Sequence, residues 1–158
     1  MKEMEFLFQR KLYDRMLRWK QEEQGQTALL IEGVRRVGKS TLAETFAKKE
    51  YRSYILIDFN KASKETKSLF DDLSSLDFIF LRLQAQYGVQ LYERQSVIIF
   101  DEVQKCPAAR QAIKYLVAQV RYPIPDSPKA ETEGTSRLLR SKKTLNDNPR
   151  VILSREMR

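Results

Sequence analysis

A chain of 158 residues with 42% hydrophobic and 32% charged side chains suits one folded domain rather than a disordered segment. Its formal charge of +8 favours anionic partners such as nucleotides, nucleic acid or an acidic protein face. The absence of histidine excludes His-based catalysis and His-ligated metals, and the single cysteine, Cys106, excludes an internal disulfide and fits a reducing cytosol.

Near the N-terminus, Phe8, Leu12, Met16 and Trp19 recur at three- and four-residue spacing, which predicts an amphipathic helix over about residues 5–20. Its acidic residues and short apolar run do not make a signal peptide. No later stretch approaches the ~20 apolar residues of a membrane span. A cytoplasmic protein with no membrane partner is expected. The apolar stripe is read as packing on a sheet, with Leu12 and Tyr13 the candidates to touch a purine base.

A polar connection, Gln21 to Gln26, leads to Ala28-Leu29-Leu30-Ile31-Glu32, a short apolar run of strand type. Then comes Gly33-Val34-Arg35-Arg36-Val37-Gly38-Lys39-Ser40-Thr41. This fits G-x-x-x-x-G-K-[ST], the phosphate-binding P-loop, whose backbone N–H groups cradle phosphates while the lysine reaches the β/γ oxygens. The loop needs a strand before it and a helix after it. Residues 40–49 supply the helix, with Leu42, Ala43 and Phe46 on one side. Arg35 and Arg36 are read as facing solvent, or alternatively as touching phosphates or a partner.

Tyr54 to Phe59 reads as a second buried strand, with Asn60 capping the helical segment after it. Leu69, Phe70, Leu73, Leu76, Ile79, Phe80 and Leu83 predict two helices broken near Ser74-Ser75, with Asp77 capping the second and Gly88 ending it. Ser96-Val97-Ile98-Ile99-Phe100 is a third strand, continuous and β-branched as in parallel sheets covered on both faces. It runs into Asp101-Glu102. Pro107 opens another helix striped by Ile113, Leu116, Val117 and Val120. Alternating strands and helices imply an α/β fold with a parallel sheet.

Beyond Arg121 three prolines crowd residues 123–128, and the remainder is polar and basic. Its one strand-like piece is Val151-Ile152-Leu153. The expected organisation is an N-terminal helix and connection over 1–26, a P-loop core over 27–121 and an irregular, proline-containing basic tail over 122–158.

Chemistry at a P-loop needs a second component, an acidic residue at the C-terminal end of a neighbouring strand. Asp101 stands there. With Lys39 stabilising γ-phosphate charge, Ser40 and Asp101 are the expected Mg²⁺ contacts, and Glu102 is the expected general base for water. Gln104 and Cys106 come shortly after the pair and are read as packing residues.

Residues 30–42 together with Ile98-Ile99-Phe100-Asp101-Glu102-Val103-Gln104 resemble the bacterial and archaeal AAA-type P-loop ATPases, over roughly residues 10 to 121. The resemblance implies a P-loop NTPase αβα sandwich, MgATP binding and hydrolysis, and an arginine finger supplied by a partner or by self-association. Members of that family carry a further strand ending in a polar sensor residue, then additional helices and another domain. Here the prolines stand where that strand is expected, and Glu133-Gly134-Thr135-Ser136 only loosely resembles the sensor run. The sheet is therefore expected to be incomplete at its C-terminal end, and the chain to be a fragment or to change frame near Tyr122. Nucleotide binding is expected to be retained and hydrolysis impaired, because the missing sensor group would have oriented the attacking water. Two other readings stay open. One is a P-loop kinase-like phosphotransferase. The other is a nucleotide-gated or basic interaction module on nucleic acid or protein, without turnover, resting on the +8 charge and on Arg137, Arg140, Lys142 and Lys143.

Overall fold

The computed structural model describes residues 2–23, 27–33, 38–117 and 149–156. Helix α1 (Lys2–Glu23) precedes strand β1 (Leu29–Gly33), helix α2 (Lys39–Glu50) and strand β2 (Ser53–Asp58). Two helices come next, α3 (Lys64–Ser68) and α4 (Leu76–Tyr87). Strand β3 (Ser96–Asp101) leads through a 3-10 turn at Val103–Lys105 into helix α5 (Pro107–Val117). Strand β4 (Arg150–Glu156) is last in the chain and sits inside the sheet. All pairings are parallel, in the order β1-β4-β3-β2.

The strands alternate their side chains between two apolar layers, as a period of two requires. Ile31, Val97, Ile99 and Ile152 pack with Met16 and Trp19 of α1 and Ala43, Phe46 and Ala47 of α2. On the other face Ile55, Ile57, Ile98, Phe100, Val151 and Leu153 meet Phe70, α4 and α5. Every residue of β3 is buried, which explains its unbroken apolar run. The result is the expected α/β sandwich around a parallel sheet.

The expectation of three strands is corrected. Residues 150–156 of the segment expected to be irregular form β4, which occupies the place between β1 and β3. The prolines therefore do not replace this strand; they precede it in the chain. The rest of that segment, including Tyr122, Gly134 and the basic residues Arg137, Arg140, Lys142 and Lys143, lies outside the described residues.

Local signals were mostly realised, with exceptions of physical interest. Met16 and Trp19 are buried, but Phe8 at the start of the same stripe is 55% exposed. The α3 cap is Ser63, whose hydroxyl accepts from the Thr66 N–H, rather than Asn60. Ser75, not Asp77, caps α4 by accepting from the Phe78 N–H. Gly88 does end α4, in the left-handed conformation at φ 64° that favours glycine. In α5 the deepest residues are Ala109, Ala112 and Leu116, with Ile113 and Val117 at the margin. Val120 lies outside the described residues.

Several tyrosines join this core and hold their protons tightly. Burial pushes Tyr13 up to about 12, helped by its hydrogen bond to Glu50 and by that carboxylate's charge. Burial also raises Tyr51, Tyr54 and Tyr87 above the ordinary tyrosine value. A group raised in the folded state contributes stability that is complete below its unfolded value and is lost as pH rises through the folded one. Stability should thus hold up to about pH 10 and then fall steadily toward about pH 12. Urea midpoints measured across that range check this; a flat profile above pH 10 would contradict it.

Candidate functional site

Ligands of open parallel sheets bind beyond the carboxyl ends of the strands. Gly33 ends β1, Asp101 ends β3, and the N-terminus of α2 abuts both. Val34, Arg35, Arg36 and Val37 of the expected phosphate loop lie outside the described residues. The two ends of that loop are defined. Gly38 caps α2 in a left-handed conformation, φ 80° and ψ 21°, which an L side chain adopts only under strain. A Cβ at Gly38 would also come within 3.4 Å of the Gln9 amide nitrogen, so α1 passes close to this turn. The first turn of α2 carries no acidic side chain, so the positive end of the helix dipole favours an anion there.

Lys39 is only 7% exposed, and its Nζ donates to the Gly33 carbonyl at 2.9 Å. The ammonium thereby bridges the end of β1 and the start of α2. Ser40 Oγ donates to Asp101 Oδ2 at 2.8 Å across 61 residues of sequence. Asp101 Oδ1 is buried and has no hydrogen-bond partner among the described residues. An orphan carboxylate oxygen carries a desolvation penalty of roughly 1–3 kcal/mol or more, so this is a position that a cation or donor would relieve.

Glu102 leaves β3 in the left-handed region, φ 54° and ψ 46°. For a non-glycine residue this costs on the order of 1 kcal/mol and is commonly found at functional sites. The Lys105 N–H closes the next turn on the Glu102 carbonyl at 3.0 Å. From within that turn Gln104 Nε2 donates to Glu102 Oε2. Gln104 Oε1 is buried without a partner among the described residues.

Ser154 is the residue that sequence reasoning missed. It lies in β4, fully buried, with an Oγ that has no partner among the described residues. Phe100 pairs with Leu153, so one step further the register brings Ser154 level with Asp101. Alternation turns both toward the α1–α2 side. The available signal was an apolar run, Val151 to Leu153, closing on a polar residue as β3 does. Glu133-Gly134-Thr135-Ser136, the stretch that loosely resembles a sensor run, lies outside the described residues.

Leu12 and Tyr13 are drawn into packing. Tyr13 donates to Glu50 Oε1 at 2.8 Å and meets Phe46 edge-on at 5.3 Å, while Leu12 adjoins the same apolar layer.

The AAA domain family matches the chain over residues 25–150, more than half its length. The chain belongs to the AAA domain family. As an AAA domain it is a P-loop nucleotide-binding fold, and the matched span includes both the Gly33–Thr41 loop and the Asp101-Glu102 pair. No curated protein and no solved structure gives a significant match. Among the described residues no helix is long and apolar enough to cross a membrane.

Proposed function

We propose that this AAA domain binds MgATP and hydrolyses it to ADP and phosphate. The observation that carries the reading is the Ser40–Asp101 contact, a hydroxyl and a carboxylate held 2.8 Å apart beneath the start of α2. Backbone N–H groups of Gly33 to Thr41 would cradle the phosphates, with Lys39 placed on the β/γ oxygens. The preference for ATP over GTP comes from the family.

The donor set fits Mg²⁺. Ser40 and Asp101 offer hard oxygen atoms, and Asp101 Oδ1 has no partner among the described residues. Among the described residues no group of three or more His, Cys, Asp or Glu gathers to hold a metal alone. That suits an ion held by one or two protein oxygens, substrate phosphates and water. When bound, Mg²⁺ would neutralise charge on the β- and γ-phosphates.

Glu102 is assigned as the base. Water attacks the γ-phosphorus, its proton passes to the Glu102 carboxylate, and the bond to the ADP oxygen breaks. The proton is then released with phosphate. Ser154, level with Asp101 in the strand register, would be a polar group near the γ-phosphate end of the site. An arginine from a partner or a second copy would complete the charge stabilisation.

Calorimetric titration of the full chain with MgATP should give saturable one-site binding, about tenfold weaker when Mg²⁺ is chelated. Asp101→Asn should abolish that sensitivity to chelation. Absence of binding would sink the proposal. Phosphate appearing on an added acceptor instead of in water would favour a phosphotransferase.

A further inference from the structure

We propose that Gln104 is a positioning residue for Glu102, fixing its carboxylate for the attack of water; the inference rests on the hydrolytic reading of the site. As a packing residue Gln104 is a poor choice. Gln104 is half-buried in a tight turn, and its Oε1 is buried with no partner among the described residues. An apolar side chain of similar volume would avoid that orphaned acceptor. The amide brings instead a charge-assisted bond from Nε2 to Glu102 Oε2.

The geometry gives that bond its effect. The positive φ at Glu102 turns the chain back on itself directly after β3. The turn is then pinned by hydrogen bonds from Lys105 N to Glu102 O and from Cys106 N to Val103 O. Its apolar members, Val103 and Cys106, are 2% and 4% exposed in the layer shared with α5 and β4. Gln104 therefore reaches Glu102 from a rigid base. It occupies Oε2 and leaves Oε1 as the oxygen that takes the proton. A flexible glutamate at the end of a strand would spread over several rotamers, few of them facing the phosphate. One fixed amide removes that freedom before the substrate arrives.

The test compares wild type, Gln104→Leu, Glu102→Gln and the double variant. In Gln104→Leu, kcat should fall about tenfold to a hundredfold, while KM and MgATP affinity stay within about twofold. The urea midpoint should be unchanged or higher, since the orphaned acceptor is gone. In the Glu102→Gln background, Gln104→Leu should change kcat no further. Independently of nucleotide, the Gln104 side-chain amide should show a displaced NMR signal that moves to the ordinary position in Glu102→Ala.

Turnover and stability falling together in Gln104→Leu, or an additional loss on top of Glu102→Gln, would mark a packing role and overturn the inference. An ordinary amide signal in wild type would do the same. Phosphate release that Gln104→Leu leaves unchanged overturns this inference alone. No phosphate release by wild type overturns the hydrolytic reading and this inference with it.

Discussion

Lys39→Ala should weaken MgATP binding about a hundredfold while leaving the sheet folded. Lys39 is buried to 7% exposure at the first position of α2, with its Nζ fixed on the Gly33 carbonyl at 2.9 Å. The ammonium is thus already held between the two ends of the expected phosphate loop and needs little ordering when a ligand arrives. A hydrogen bond to a charged group contributes roughly 1.5–3 kcal/mol, which at about 1.4 kcal/mol per decade sets the scale. Losing the positive charge puts the result at the upper end. Lys39→Arg is not expected to restore affinity, because the planar guanidinium is wider and cannot take the same seat. Calorimetry on the three proteins decides it. Equal affinities in wild type and Lys39→Ala would remove Lys39 from the site and with it the phosphate-loop reading.

The parts of this site that were legible in sequence are those governed by local pattern. A buried strand type announces itself by composition, so β1, β2 and β3 were visible as apolar runs. Lys39, Ser40 and Asp101 could be proposed as site residues because phosphate and metal chemistry needs fixed positions after a strand or before a helix. Parallel topology brings Ser40 and Asp101 into contact across 61 residues once both strands are placed.

The features that stayed hidden depend on non-local or subtler geometry. Only three apolar residues signal β4, and a long proline-bearing segment separates it from β3. Nothing in its periodicity says that it enters between β1 and β3. Phe8 has the spacing of a core residue but stands toward the start of α1, where it is left exposed. Ser63 and Ser75 outcompeted Asn60 and Asp77 as caps through shifts of a few positions. Gln104 was unreadable because its contact exists only once Glu102 takes a positive φ.

Ile152→Asp should abolish folding, because β4 is an interior strand. Ile152 is fully buried, opposite Leu29 of β1 on one side and Ile99 of β3 on the other. It joins the layer of Met16, Phe46 and Ile99 beneath α1 and α2. A carboxylate there meets no partner in that apolar layer, and an unpaired buried charge costs several kcal/mol. The loss of the apolar side chain and its cavity adds about 2–5 kcal/mol. Together these consume the roughly 5–15 kcal/mol that holds a domain of this size folded. Leu30→Asp is the control, since Leu30 is 44% exposed on β1, which pairs with β4 alone among the described residues. That variant should stay within about 1 kcal/mol of wild type. Far-UV circular dichroism and urea denaturation read both. If Ile152→Asp kept a near-native midpoint, β4 could not lie between β1 and β3, and Ser154 would have no claim to stand beside Asp101. Loss of folding in Ile152→Asp alone would tie the geometry of the site to a strand that the sequence signals with only three apolar residues.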